Sequence, residues 1–182
     1  MSTATTEMEA TTTDSAETME PKHTISLFVA NKPGVLIRIS LVFARRGYNI
    51  DSLIVSPSSD PKFSVMNIVA RGAKKVLDQI LKQLNKLVDV VHASDRTGED
   101  IIQREFALLK IHCDIEYRSE VVQLAHALDC GIVDLGANYV MLQVAGETER
   151  LDGIQRTFDR FGMLEMIRTG KVFMVRGEQQ TA

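Results

Sequence analysis

The sequence contains no tryptophan, and aromatic residues make up only 5% of its 182 positions. Proteins that read single-stranded nucleic acid stack bases on aromatic side chains, so this scarcity argues against such a platform. A dominant positive charge is also missing. The net charge is -3 and the pI about 5.8, which leaves no basic footprint for a phosphate backbone or an anionic membrane surface. Cysteine occurs twice, as Cys113 and Cys130. Two such residues, each in an apolar or helical stretch, make no disulfide framework and fit a reducing cytoplasm. No apolar run approaches the ~20 residues that span a bilayer. The first 22 residues lack the apolar core of a secretory signal. They are rich in threonine and carry Glu7, Glu9, Asp14, Glu17 and Glu20 against Lys22 alone. A transit peptide would be rich in arginine and poor in acids, so residues 1–21 read as a solvated, disordered tail.

Catalytic signatures are absent too. There is no Gly-x-Ser-x-Gly elbow, no Gly-x-Gly-x-x-Gly fingerprint and no Gly-Lys-Ser/Thr phosphate loop. His112 and Cys113 would point to opposite faces of a strand, so they cannot hold one metal ion. His126 and Cys130 share a helix face but make only half a site, and a core cysteine beside a surface histidine is the plainer explanation. The chain therefore reads as catalytically silent, with no metal site.

What is present is a regular alternation of strands and helices. Hydrophobic residues form 45% of the chain and charged residues 25%, the ordinary share for packed domains. Residues 24–29 predict a strand, and Asn31-Lys32-Pro33-Gly34 a turn in which Asn and Pro suit a helix start. Val35, Leu36, Ile39, Val42 and Phe43 recur at helical spacing. Arg45 and Arg46 are placed in the last turn, where they complement the helix dipole, and Gly47 as the stop. Residues 49–55 and 63–69 predict a hairpin. A helix from about Ala73 carries a stripe of Val76, Leu77, Ile80, Leu81, Leu84 and Leu87, and residues 88–92 predict a short fourth strand. Its charged residues, Lys74, Lys75, Asp78, Lys82 and Lys86, read as a solvated face.

After a polar link at residues 96–100 the same order repeats. Residues 106–113 predict a strand with Ala107, Leu109, Ile111 and Cys113 on one face, and residues 119–128 a helix closed by Gly131. Residues 132–135 and 139–145 predict a hairpin, Leu151, Ile154, Phe158 and Phe161 a helix, and residues 164–167 a strand extended by 172–175. The expectation is an α+β chain of two tandem βαββαβ sandwich units in the ferredoxin-like arrangement, over residues 22–96 and 103–178.

The Asn31–Gly34 turn is the feature that local chemistry singles out. A helix N-terminus offers unpaired N–H groups and the positive end of the dipole to a carboxylate. Gly34 leaves room beside the backbone, and Asn31 can donate and accept hydrogen bonds. On local grounds alone, the plainer reading is that Asn31 caps the helix and Gly34 relieves a tight turn.

The residues here also resemble a known family. Asn31-x-Pro-Gly-Val-Leu-x-Arg38, with Phe43-Ala-Arg-Arg-Gly47-Tyr-Asn49-Ile-Asp-Ser-Leu53 and Lys82-Gln-Leu-Asn-Lys-Leu-Val-Asp-Val90, resembles the N-terminal ACT domain of acetohydroxyacid (acetolactate) synthase small subunits. Arg104-Glu105-Phe-Ala-Leu-Leu-Lys110-Ile resembles the start of their C-terminal, ACT-like domain. The likeness runs over about residues 22–178. It implies a homodimer whose ACT domains join sheets side by side and bind valine, or another branched-chain amino acid, at their interface. It further implies a large catalytic partner subunit that carries thiamine diphosphate, Mg²⁺ and FAD, none of them on this chain. The small subunit of such a pair raises the partner's activity and confers feedback inhibition on branched-chain amino-acid synthesis. Carried over residue by residue, the effector site comprises Asn31, Lys32, Pro33, Gly34, Val35 and Leu36, with Asn49 contributed from across the interface. The Gly34 and Val35 amides are expected to hold the effector carboxylate. One departure falls at Ile37, where some members of the family carry serine. A free-standing ACT-type sensor acting on a different enzyme or on transcription is the second reading, and no helix-turn-helix accompanies it.

Overall fold

The computed structural model describes residues 20–182. The tail expected at residues 1–21 lies outside the described residues except for Glu20 and Pro21, and the Pro21 carbonyl already accepts a bond from the Gly72 N–H at 3.2 Å.

The first unit runs β1 (Lys22–Ala30), α1 (Val35–Ala44), β2 (Asn49–Pro57), β3 (Phe63–Arg71), α2 (Lys74–Leu84), β4 (Val90–Asp95). Its antiparallel sheet has the order β2-β3-β1-β4. Alternation along β1 sends Ile25, Leu27 and Val29 to the inner face, where they meet Val35, Ile39, Val42 and Phe43 of α1 and Leu77, Ile80 and Leu84 of α2. Each large side chain buried there contributes roughly 1.5–3 kcal/mol. The second unit repeats the order with β5 (Ile101–His112), α3 (Arg118–Ala127), β6 (Gly131–Leu135), β7 (Tyr139–Gly146), α4 (Thr148–Asp159) and β8 (Met163–Arg168), in a sheet ordered β6-β7-β5-β8. The expected α+β architecture of two tandem βαββαβ sandwiches is what the chain adopts. β9 (Val172–Val175) follows β8 along the same side of β5 and pairs antiparallel with residues 101–104.

Several local expectations change. Leu36 lies about 100° around the helix from Val35, which turns it away from the core, and it is 41% exposed. Arg45 and Arg46 fall beyond the end of α1 rather than in its last turn. There Tyr48 N–H reaches Phe43 O at 3.2 Å and Gly47 N–H reaches Ala44 O at 3.1 Å, a Schellman closure. The fourth strand begins at Val90, because residues 87–90 form a turn that leaves Val88 99% exposed.

Gly131 does not close α3; it opens β6. The stop is Asp129, at φ 53°, flanked by bonds from Asp129 N–H to His126 O and from Cys130 N–H to Ala125 O. Left-handed backbone disfavours any residue with a Cβ by roughly 1 kcal/mol, and Asp129 is exposed. Asp129→Gly is therefore expected to stabilise the chain by about 0.5–1 kcal/mol, a rise of a few degrees in a calorimetric melt. A lowered melting temperature would refute that account of the stop.

The two units touch through the outer face of the first sheet. Asn67 Nδ2 donates to Phe173 O at 3.2 Å, and Lys171 N–H donates to Ser52 Oγ at 3.1 Å. Arg96 Nε and Nη2 donate to the carbonyls of Thr181 and Gln180.

Candidate functional site

The turn between β1 and α1 is braced against the β2–β3 loop. Asn31 N–H donates to Lys62 O at 2.7 Å, and Asn31 Nδ2 donates to Pro61 O at 3.0 Å, tying the turn to the β2–β3 loop. Asn31 thus braces the turn and does not cap α1, contrary to the plainer expectation. The position before the helix is Gly34, at φ 82°, and it makes no side-chain cap. Only glycine adopts that conformation without strain, so the left-handed residue and the missing cap arise together.

The consequence is a set of donors without acceptors. Val35 N–H makes a long 3.4 Å bond to Lys32 O, and Arg38 N–H reaches Gly34 O. Among the described residues the N–H groups of Gly34, Leu36 and Ile37 have no acceptor. These are the orphan groups of a helix start, with the positive end of a ten-residue helix behind them. The surroundings add to the same sign: a Cβ built on Gly34 would lie 3.4 Å from Arg38 Nη1, and Arg38 is shared with Asp89 at 2.5 Å. The arrangement can accept a small carboxylate. Of the two amides expected to do so, Gly34 is unpaired, whereas the Val35 amide is partly engaged and its side chain is buried in the core. Leu36 was expected in the site but not as a carboxylate donor, and Ile37 and Arg38 were not among the expected site residues. The i+4 relation of Arg38 to Gly34 is the signal that could have found Arg38.

Asn31, Lys32 and Pro33 are exposed, as are Leu36 and Ile37, so one side of the turn is open. Asn49 is nowhere near it. It begins β2 and pairs with Arg71, which pairs with Lys22 at the start of β1, whereas Asn31 follows the other end of β1. Nine residues of strand separate the two ends by about 25 Å. Asn49 Nδ2 instead donates to Asp51 Oδ1 at 3.0 Å, and Asp51 pairs with Arg71 at 2.6 Å. Among the described residues β2 is the outermost strand of its sheet, with one edge unpaired.

The remaining reactive side chains sit apart from this turn. Cys113 and Cys130 are both buried and free, and burial raises the Cys130 thiol above its usual pKa. His112 is exposed and pairs with Asp114 at 3.2 Å, while His126 is exposed on α3. Tyr48, whose phenol is raised mainly by burial, donates to Ala73 O and packs against Phe43. Among the described residues no three His, Cys, Asp or Glu side chains gather into a set that could hold a metal ion.

Comparison with known proteins matches both halves. Residues 25–92 fit the model of the AHAS small subunit-like ACT domain, and residues 104–177 that of the small subunit of acetolactate synthase. A probable acetolactate synthase small subunit of Archaeoglobus fulgidus is 40% identical over 159 residues, 87% of this chain and 99% of that protein. The acetolactate synthase small subunit of Mycolicibacterium smegmatis is 34% identical over 86% of this chain and 92% of its own. The crystal structure of the acetolactate synthase small subunit from Thermotoga maritima superposes with a TM-score of 0.79 at 33% identity, covering 87% of this chain and 99% of that one.

Proposed function

Because the chain belongs to the acetolactate synthase small-subunit family, we propose that it is a regulatory subunit that senses a branched-chain amino acid and adjusts a large catalytic partner. The observation that carries this reading is the open turn with unpaired Gly34, Leu36 and Ile37 amides, set in a chain whose second site residue, Asn49, lies at the far end of the sheet.

A second copy resolves the separation. When β2 pairs antiparallel with β2 of a two-fold partner, the start of one strand comes to the end of the other. Pro57, at the end of β2, pairs with Ser64 beside Phe63, the partner of Ala30, so it lies at the Asn31 end of the sheet. Such pairing carries Asn49 of the partner subunit to that end. It also covers an exposed strand edge that an isolated chain would present to any passing strand. The effector carboxylate then sits on the amides, Asn31 and Asn49 of the partner subunit orient its polar end, and apolar neighbours including Leu36 take the branched side chain. Valine is the first candidate effector.

Residues 22–96 act as the effector-binding, dimerising unit and residues 103–178 as its companion. Binding between two first units favours one geometry of the dimer, which the large subunit reads as a less active arrangement. Thiamine diphosphate, Mg²⁺ and FAD belong to the large subunit in this reading, and this chain takes no share in holding them. A cytoplasmic setting is part of the same proposal; no described helix is long and apolar enough to cross a membrane.

The test is reconstitution. Purified chain mixed with an acetolactate synthase large subunit should raise acetolactate production severalfold, and millimolar valine should reverse the gain. Repeating the titration with leucine and isoleucine ranks the effectors. Failure of the two proteins to associate would sink the proposal.

A further inference from the structure

The outer face of the first sheet holds a row of polar side chains where a permanent contact would hold apolar ones. Asn67 of β3, Ser26 of β1 and Ser94 of β4 are cross-strand partners, so they lie side by side across three strands. Ser26 is fully buried and Asn67 is 6% exposed. Ser26 Oγ, Asn67 Oδ1 and Ser94 Oγ are all buried without a hydrogen-bond partner among the described residues. The segment bonded to this face belongs to the second unit: Phe173, 3% exposed, receives a bond on its carbonyl from Asn67, and Lys171 N–H reaches Ser52 Oγ. Gly170, at φ 82°, comes so close that a Cβ there would collide with Ser52 Oγ.

We propose that the ribbon at residues 169–175, with Gln180 and Thr181 hooked by Arg96, is a reversible latch that docks on the first sheet and releases from it. Docking is favoured by Phe173 leaving water and by the bonds to Asn67, Ser52 and Arg96. It is opposed by three buried polar atoms that find no partner among the described protein groups. Opposing contributions of comparable size make a contact that opens without unfolding either sandwich, since each keeps its own core. Released, the row is hydrated and the two units move separately; docked, they move as one body. β9 stays paired with β5 in both states, because those bonds lie within the second unit. The device does not depend on whether the turn at Gly34 binds an amino acid.

Thiol labelling of the full chain reads the latch directly. Ser26→Cys places a near-isosteric thiol under the ribbon, and Ala93→Cys, on the inner face of the same sheet, reports unfolding of the first unit. Native Cys113 and Cys130 report unfolding of the second. Cys introduced at 26 should react with a disulfide reagent at least ~100-fold faster than the other three. Adding Gly170→Ala, which crowds Ser52 and strains a left-handed backbone, should speed that reaction a further ~10-fold. Ser94→Ala, which removes an orphan hydroxyl without touching the ribbon bonds, should slow labelling several-fold. The latch is refuted if position 26 labels no faster than position 93, if Ser94→Ala leaves the rate unchanged, or if Gly170→Ala slows labelling.

Discussion

Gly34→Asp is expected to abolish inhibition by valine while leaving the activation of the large subunit largely in place. Two effects of the substitution act together. The left-handed backbone at φ 82° admits Asp and Asn more readily than other residues, so α1 survives at a penalty of about 1 kcal/mol, visible as a melting temperature lower by a few degrees. The new carboxylate then starts from a Cβ only 3.4 Å from Arg38 Nη1 and within reach of the unpaired amides of Gly34, Leu36 and Ile37. It occupies from within the chain the place proposed for the effector's own carboxylate. A second negative group is excluded by volume and by charge, and affinity should fall more than ~100-fold, about 2.7 kcal/mol. Gly34→Asn carries the same shape and the same backbone tolerance without the charge, so it should weaken binding by roughly tenfold less. Calorimetric titration of valine into each variant measures the first quantity, and acetolactate production with the large subunit measures the second. An inhibition curve unchanged by Gly34→Asp would show that the carboxylate is held elsewhere.

The part of this site that could be read from residues was the local part. Strand β1 and helix α1 announce themselves by period, and Pro33-Gly34 marks the turn between them, because those signals concern neighbours in sequence. The errors came where a distant segment decides. Asn31 had a suitable cap chemistry, but the β2–β3 loop offered Lys62 and Pro61 carbonyls, and bracing against them won. Asp129 gave no warning that it would adopt a left-handed conformation, since Gly131, two residues on, reads as the natural stop. The tight turn of residues 87–90 expelled Val88, although its composition read as strand. Leu36 shows the limit from another side. Helical spacing groups it with the apolar stripe, yet the helix turns it outward, toward the site where the family resemblance places it. That outward position is also where a branched ligand or a second copy would meet it. The latch was wholly invisible, because it rests on the register that brings Ser26, Asn67 and Ser94 into one row and on Gly170 arriving from the β8–β9 link over a hundred residues away.

The decisive property of the proposed site is that each copy is built from two chains, and this has a consequence that no single-chain pocket shares. Asn49→Ala should weaken valine binding ~10-fold or more by removing the group that faces the turn from across the interface, although Asn49 is about 25 Å from Asn31 within its own chain. Now let Gly34→Asp and Asn49→Ala subunits be mixed and allowed to exchange. In a mixed dimer one site joins two altered parts, while the other joins the native turn of one chain to native Asn49 of the other. With random pairing half of the dimers are mixed and each regains one site, so about a quarter of all sites should bind valine with native affinity. Neither parent binds at that strength, so the recovered sites stand out in an equilibrium titration as a fractional stoichiometry. Recovery should also require exchange: fusing two copies of the same variant into one chain should prevent it. Were the site contained within one subunit, mixing would restore nothing, and the antiparallel pairing of β2 would lose its support along with it.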